Sequence, residues 1–267
     1  MSTCNSHPGE SIPINDRGLL YGDGVFRTMK RTGGVTLCWR RHYRKLAADC
    51  AALKLRCPDA AELEAELAGL PPDCVAKIIV TRGTGSRGYA VTPDMIPTRI
   101  VSASPLPVHP ETYLAQGVRL FLCGLRLASQ PRLAGIKHLN RLENVLARME
   151  WDDPGIAEGL LLDEAGLAIE GTMSNLFAYR GGVLHTPVLD RCGVAGVQRE
   201  RILDAAPELG IPVRVAPLPL EMLMEAEEIL LSNSIIGVWR VREFNGRLWN
   251  SGGLTAELRR RLEGRDD

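Results

Sequence analysis

Five lysines stand against 27 arginines in this chain, and one of them has surroundings suited to covalent chemistry. Lys137 follows the apolar lead Leu133-Ala134-Gly135-Ile136, which carries no helical stripe, and precedes His138-Leu139-Asn140. No other lysine has a comparable apolar setting. Burial of an amine disfavours its charged form and lowers its pKa, the condition an imine-forming nucleophile needs. A second feature is Glu170, in Ala168-Ile169-Glu170-Gly171-Thr172-Met173-Ser174-Asn175-Leu176-Phe177, a carboxylate just ahead of a small-residue turn and an apolar strand. A buried carboxylate there can hold a protonated ring nitrogen. Two stretches offer backbone for an anion. Gly193-Val194-Ala195-Gly196-Val197-Gln198 runs into a helix, where free N–H groups and the dipole attract phosphate. Leu231-Ser232-Asn233-Ser234-Ile235-Ile236-Gly237 ends a strand with hydroxyl and amide groups. Each feature alone also reads as a surface lysine, a strand-end carboxylate or ordinary turn and capping chemistry. Together, a nucleophilic amine, a ring-nitrogen carboxylate and two phosphate cradles describe a pyridoxal 5′-phosphate site.

The elements that must position these groups follow from periodicity. Gly24 to Lys30 alternates, Gly33-Gly34 offers a tight turn, and Val35-Thr36-Leu37 completes a hairpin. Trp39, Tyr43, Leu46, Ala47, Cys50 and Leu53 form a 3.6-period stripe, which predicts a helix over 39–53. A second helix is expected from the N-cap Asp59 to about Leu67, stopped by Gly69 and Pro71-Pro72. Strands are expected at 75–81 and 99–104, joined by the Gly-rich stretch Arg82 to Tyr89. Ser104 to Pro110 holds three prolines in seven residues and reads as an extended connector. The expected division is therefore 1–104, a Pro-rich linker at 105–112, and 113–267. Beyond the linker the pattern predicts a strand at 118–123, helices at 140–151 and 197–206, a Gly181-Gly182 hairpin and a strand pair across 228–241. Hairpins without regular βαβ alternation favour an α+β architecture over a dinucleotide-binding fold.

Taken with Asn15-Asp16-Arg17-Gly18, Tyr21-Gly22-Asp23-Gly24-Val25-Phe26, Arg82 to Tyr89, Leu133 to Arg141, Glu170 to Phe177 and Gly196-Val197-Gln198-Arg199, the sequence resembles the fold-type IV pyridoxal-phosphate enzymes. That group includes branched-chain and D-amino-acid aminotransferases and the aminodeoxychorismate lyases. The stretch Ala134-Gly135-Ile136-Lys137-His138-Leu139-Asn140-Arg141 is most similar to the lyase branch. The resemblance implies a small N-terminal α/β sandwich and a larger C-terminal pseudo-barrel. It implies that Lys137 holds the cofactor and acts as base and acid, that Glu170 keeps the ring nitrogen protonated, and that Gly196, Val197, Gln198, Ser234 and Ile235 bind the phosphate. Relatives carry an Arg before the Leu of the first helix; here Lys45 stands there with Arg44 beside it, and Lys offers a point charge instead of a fork. Thr28 stands where aminotransferases carry Gly and lyases a hydroxyl. Arg27 stands where many relatives have Glu or Thr. The implied substrate is aminodeoxychorismate, with Tyr21, Arg82, Arg87 and Tyr89 as contacts for its carboxylates. A branched-chain or D-amino-acid aminotransferase is the alternative, and a homodimer is implied in either case.

Composition limits other readings. The chain has 267 residues, 45% hydrophobic and 24% charged, and its 32 basic side chains balance 32 acidic ones. No net field draws it to nucleic acid or anionic lipid. No apolar run approaches the roughly 20 residues of a membrane span, and Met1 to Glu10 lacks the pattern of a signal peptide. Cys4, Cys38, Cys50, Cys57, Cys74, Cys123 and Cys192 form no C-x-x-C pair, and His7, His42, His109, His138 and His185 form no metal signature. A cytoplasmic enzyme with reduced thiols and no metal is expected.

Overall fold

The computed structural model describes residues 2–5, 7–8, 11–250 and 252–263, and the chain divides into two units. The first runs from the N-terminal segment to Pro107 and also takes in Ile136–Asn140. Its elements are β1 (Ser2–Cys4), β2 (His7–Pro8), α1 (Arg17–Tyr21), β3 (Gly24–Thr32), β4 (Val35–Thr36), α2 (Trp39–Ala52), α3 (Ala60–Ala68), β5 (Cys74–Thr81) and β6 (Thr98–Ser104). The strands form one sheet in the order β2-β1-β6-β5-β3-β4, antiparallel throughout. Alternation decides its faces. Val25 and Met29 of β3 and Ala76, Ile78 and Val80 of β5 share a buried core with Leu46 and Cys50 of α2 and Leu63 and Leu67 of α3. Phe26, Thr28 and Lys30 lie on the opposite, half-buried face.

The second unit comprises Val108–Gly135 and the chain from Arg141 onward. It contains α4 (Glu111–Ala115), β7 (Val118–Leu127), α5 (Leu142–Arg148), β8 (Ile156–Asp163), β9 (Ala168–Gly171), β10 (Asn175–Arg180), β11 (Val183–Pro187), α6 (Val197–Glu208), β12 (Val213–Ala216), α7 (Leu220–Glu225), β13 (Glu228–Asn233), β14 (Gly237–Phe244), β15 (Arg247–Leu248) and α8 (Leu254–Glu263). Pairing runs β10-β13-β14-β7-β8-β9 and returns to β10 through Asn175 opposite Glu170, so six strands close a ring. All six contribute to one core, including Leu120, Leu160, Ala168, Leu176, Leu231 and Val241. The alternate residues Phe177 and Leu230 pack under α6 and α8 against Ile202, Ala205 and Leu258. This is the pseudo-barrel the resemblance implied.

Two expected elements change length by more than two residues. The helix expected over 140–151 is α5, Leu142–Arg148, because residues 137–139 are drawn out along β3: Phe26 N–H donates to Lys137 C=O at 2.9 Å and Leu139 N–H to Gly24 C=O at 3.0 Å. The strand expected at 118–123 continues to Leu127. Asp59 stands at the N-cap of α3 but its side chain makes no capping bond there. The Gly181-Gly182 hairpin forms with both glycines at positive φ, 58° and 77°. All seven cysteines are free thiols.

Candidate active site

Lys137 enters the first unit as part of a short extended segment along the start of β3, away from its pairing with β4, with His138 bridging Val25. Its carbonyl is taken by Phe26, and its N–H donates to Oδ2 of Asp49 on α2 at 3.1 Å. The side chain is half-buried, and Nζ lies 4.6 Å from the Phe26 ring centroid. Lys77 of β5 reaches the same ring, at 4.9 Å, which corrects the expectation that Lys137 alone has an apolar setting. Thr28 pairs in register with Lys77 and shares the half-buried face with Phe26. Lys45 is half-buried on α2, whereas Arg44 is exposed.

The Gly-rich loop after β5 is organised by two arginines. Arg82 gives Nε and Nη2 to Asp23, at 2.8 and 3.0 Å, and the rest of its fork to the Leu53 and Lys54 carbonyls, each at 2.8 Å. It was expected to contact substrate; with its donors committed inside the unit, it is a loop clamp instead. Arg17, buried, gives Nε to the same Asp23 and its terminal nitrogens to the Gly88 and Tyr89 carbonyls. Burial alone would raise the Asp23 pKa, but the hydrogen bonds and charges of Arg82 and Arg17 overcome it and hold the carboxyl below the usual carboxylate range. Tyr21 packs its ring 5.2 Å from that of Tyr89 and accepts the Gly88 N–H at 3.3 Å. Arg87 and Tyr89 are exposed.

In the second unit Glu170 is buried on β9, and its Oε2 accepts the Val194 N–H at 2.7 Å. Gly193 makes that approach possible. It sits at φ 83°, and a Cβ there would stand 2.8 Å from Ile169 and Leu189 side chains. Asn175, opposite Glu170 at the ring closure, donates to the Val194 carbonyl at 2.7 Å and accepts the Gly196 N–H at 3.1 Å. The Val197 and Gln198 amides, in the first turn of the twelve-residue α6, have no intrahelical acceptor, and the N-cap Gly196 has no side chain to cap them. Gln198 itself is buried, its Oε1 accepting from Arg201 at 3.1 Å. At the end of β13, Ile235 and Ile236 both donate their N–H groups to Asn233 Oδ1, at 2.8 and 2.9 Å. Ile235 therefore shapes this turn and does not present a free donor. Ser232, facing Asn175 in register, is fully buried, and its Oγ has no hydrogen-bond partner. An orphaned buried hydroxyl is costly unless a ligand oxygen or proton donor completes it. Together with the open helix turn and the buried carboxylate, it fits a phosphorylated pyridine.

Sequence reasoning did not identify Glu158. It is fully buried on β8, where it accepts Thr172 N–H, Met173 N–H and the Thr172 and Ser174 hydroxyls, fixing the turn that follows Glu170. Burial pushes its pKa up, and these hydrogen bonds oppose the rise. Nothing local in the sequence marks it. Asn175 and Asn233 lay inside recognised segments, but only the fold shows what they hold.

The amino-transferase class IV family model matches residues 24–244. An aminodeoxychorismate lyase of Vibrio harveyi is 35% identical over 273 residues, covering 99% of this chain and 98% of the relative. A crystal structure of 4-amino-4-deoxychorismate lyase from Pseudomonas aeruginosa superposes with a TM-score of 0.95 at 44% identity, covering all of both chains. A putative branched-chain-amino-acid aminotransferase of Methanocaldococcus jannaschii is 30% identical over 262 residues, covering 94% of this chain and 90% of the relative.

Proposed function

Because this chain belongs to the amino-transferase class IV family, we propose that it is an aminodeoxychorismate lyase, splitting 4-amino-4-deoxychorismate into 4-aminobenzoate and pyruvate for folate biosynthesis. The observation that carries the reading is its full-length likeness, at 44% identity and a TM-score of 0.95, to a lyase of that name. Pyridoxal 5′-phosphate, when bound, supplies an electron sink for charge released at the carbon bearing the substrate nitrogen.

The chain's residues supply the rest. Lys137 is the amine that would hold the cofactor, and the same amine would take the proton from that carbon. Its carbonyl is pinned by Phe26 and its N–H by Asp49, so the side chain starts from a fixed Cα. Glu170 is the carboxylate for the ring nitrogen, oriented by the Val194 N–H. The Val197 and Gln198 amides, with Ser234, would receive the phosphate; Gly196, its N–H held by Asn175, would shape the first turn as Ile235 shapes the second, and Lys45 would supply the cation. Thr28 offers a hydroxyl to the substrate or to the departing pyruvate. General acid–base help of this kind is worth about 10²–10⁴-fold. Tyr21, Arg87 and Tyr89 are the candidate contacts for substrate carboxylates. Two copies form the working unit. Support for this comes from Leu142, Val145, Leu146 and Met149, an exposed apolar face on and just after α5 that a second copy would cover. No helix among the described residues is long and apolar enough to cross a membrane, and a cytoplasmic setting is proposed.

The test is a coupled assay in which an amidotransferase synthase makes the substrate from chorismate. Equal yields of 4-aminobenzoate and pyruvate are expected. Transfer of amino groups to 2-oxoglutarate without 4-aminobenzoate would replace the lyase with an aminotransferase. Borohydride reduction and peptide mapping should place the pyridoxyl group on Lys137; label on Lys77 would move the reactive amine to β5.

A further inference from the structure

Arg27 and Asp49 supply none of the reacting groups. Arg27 leaves the buried face of β3 and gives Nη2 to Asp49 Oδ2 on α2, both side chains being almost fully buried. Desolvation pushes the Asp49 carboxyl up, and Arg27, the Lys137 N–H and Lys45 only partly counter it. Such a pair is weak evidence for stability, since apolar residues of similar volume often serve a core equally well. The third partner is more telling. The oxygen that meets Arg27 also accepts the Lys137 N–H, at 3.1 Å. With Phe26 donating to the Lys137 carbonyl at 2.9 Å, both backbone polar groups of one residue are held, one by β3 and the other by α2. A half-buried lysine carries four side-chain torsions, so the direction of its amine depends first on where its Cα is fixed.

We propose that Asp49, clamped by Arg27, is a positioning residue that fixes the backbone of Lys137 and so aims its amine. The proposal rests on Lys137 being the reactive amine. It also gives Arg27 a purpose: the guanidinium opposes the desolvation of the carboxylate and shares the oxygen that faces the 136–140 segment. Both act through the backbone of Lys137, so the effect belongs in turnover more than in substrate binding.

Two double variants separate positioning from simple stapling of β3 to α2. Arg27→Met with Asp49→Asn and Arg27→Met with Asp49→Ala both remove the ion pair; only the first keeps an oxygen for the Lys137 N–H. In the purified enzyme, hydrogen exchange at the Lys137 amide should stay within about threefold of wild type in the Asn variant and rise at least about tenfold in the Ala variant. The Ala variant should also lose kcat by about tenfold or more with KM little changed. Equal exchange and equal kcat in the two would overturn the proposal. If the Ala variant does not fold, Asp49→Glu serves, because it keeps the charge for Arg27 while moving the oxygen by one methylene. A kcat loss of about fivefold with unchanged melting is then expected, and a wild-type kcat and exchange rate would overturn the proposal. The exchange measurement needs no turnover. Were borohydride to label a lysine other than Lys137, the functional reading would fall while exchange still reported on the Asp49 contact.

Discussion

At the scale of single residues, what could be read early were types in suggestive company: a lysine with an apolar lead and a carboxylate before a small-residue turn. What could not be read was pairing at a distance. Arg82 on a Gly-rich loop looked free for substrate, yet its partner Asp23 lies 59 residues away and no local pattern announces the clamp. That clamp makes a pH prediction. The Asp23 pKa is lowered on folding, so the stability it contributes is fully present above its unfolded value of about 4 and is lost as pH falls through the lower folded value. The melting-temperature gap between wild type and Asp23→Asn should be widest from pH 5 to 7 and shrink below pH 4. A gap independent of pH would mean the charge contributes nothing. Thr28 makes a second prediction. If its hydroxyl assists the reaction, Thr28→Ser keeps most lyase turnover and Thr28→Gly loses about one to three orders of magnitude. The two melting curves must be compared first, because glycine weakens a strand by itself. Equal turnover in folded, yellow Thr28→Gly would remove Thr28 from the reaction.

At the scale of elements, periodicity was a good guide wherever one face met a core. β3, β5, α2 and α6 begin within a residue of where the pattern put them, because alternation and the 3.6 stripe report burial directly. α1, α4, α7 and α8 went unread: the first three span five or six residues, too few for a stripe to show, and α8 lies beyond the last expected strand. The turn between β9 and β10 was legible as small residues, but its anchor, Glu158, was not, since a lone carboxylate in an apolar strand gives no sign of the donors awaiting it. Glu158→Gln retains the shape and one acceptor oxygen, and it sets an NH₂ against donors. Each buried donor left unpaired costs about 1–3 kcal/mol. A fall in melting temperature of several degrees is expected, together with weaker retention of pyridoxal phosphate, measured by dialysis and visible absorbance. Unchanged melting would show that the turn holds itself.

At the scale of the whole molecule, the apolar side of α5 has its own consequence. Leu146→Glu should convert a dimer eluting near twice the 29.2 kDa chain mass into a monomer on gel filtration, and a monomeric wild type would dismiss the paired unit outright. The linear division of the chain, drawn from prolines, did not anticipate that 136–140 would pack with the first unit, since no composition shift marks a segment that crosses over by hydrogen bonding. The second unit's ring of strands carries a different implication. Its closure rests on one register pair, Glu170 with Asn175, and those two side chains also hold the bend at 193–196 through Val194 and Gly196. The place where a ligand would be gripped is thus also the buckle of the belt. Strands on the opposite side of the ring, β14 and β7, can only open with the whole barrel, while the buckle can slip alone at a smaller free energy. A ligand at one hundred times its dissociation constant adds about 2.7 kcal/mol against any opening that releases it. Vitamin supply would then govern the endurance of the fold: starved of pyridoxal phosphate, the barrel should be nicked by proteases first between β9 and β10, well before its average stability gives warning.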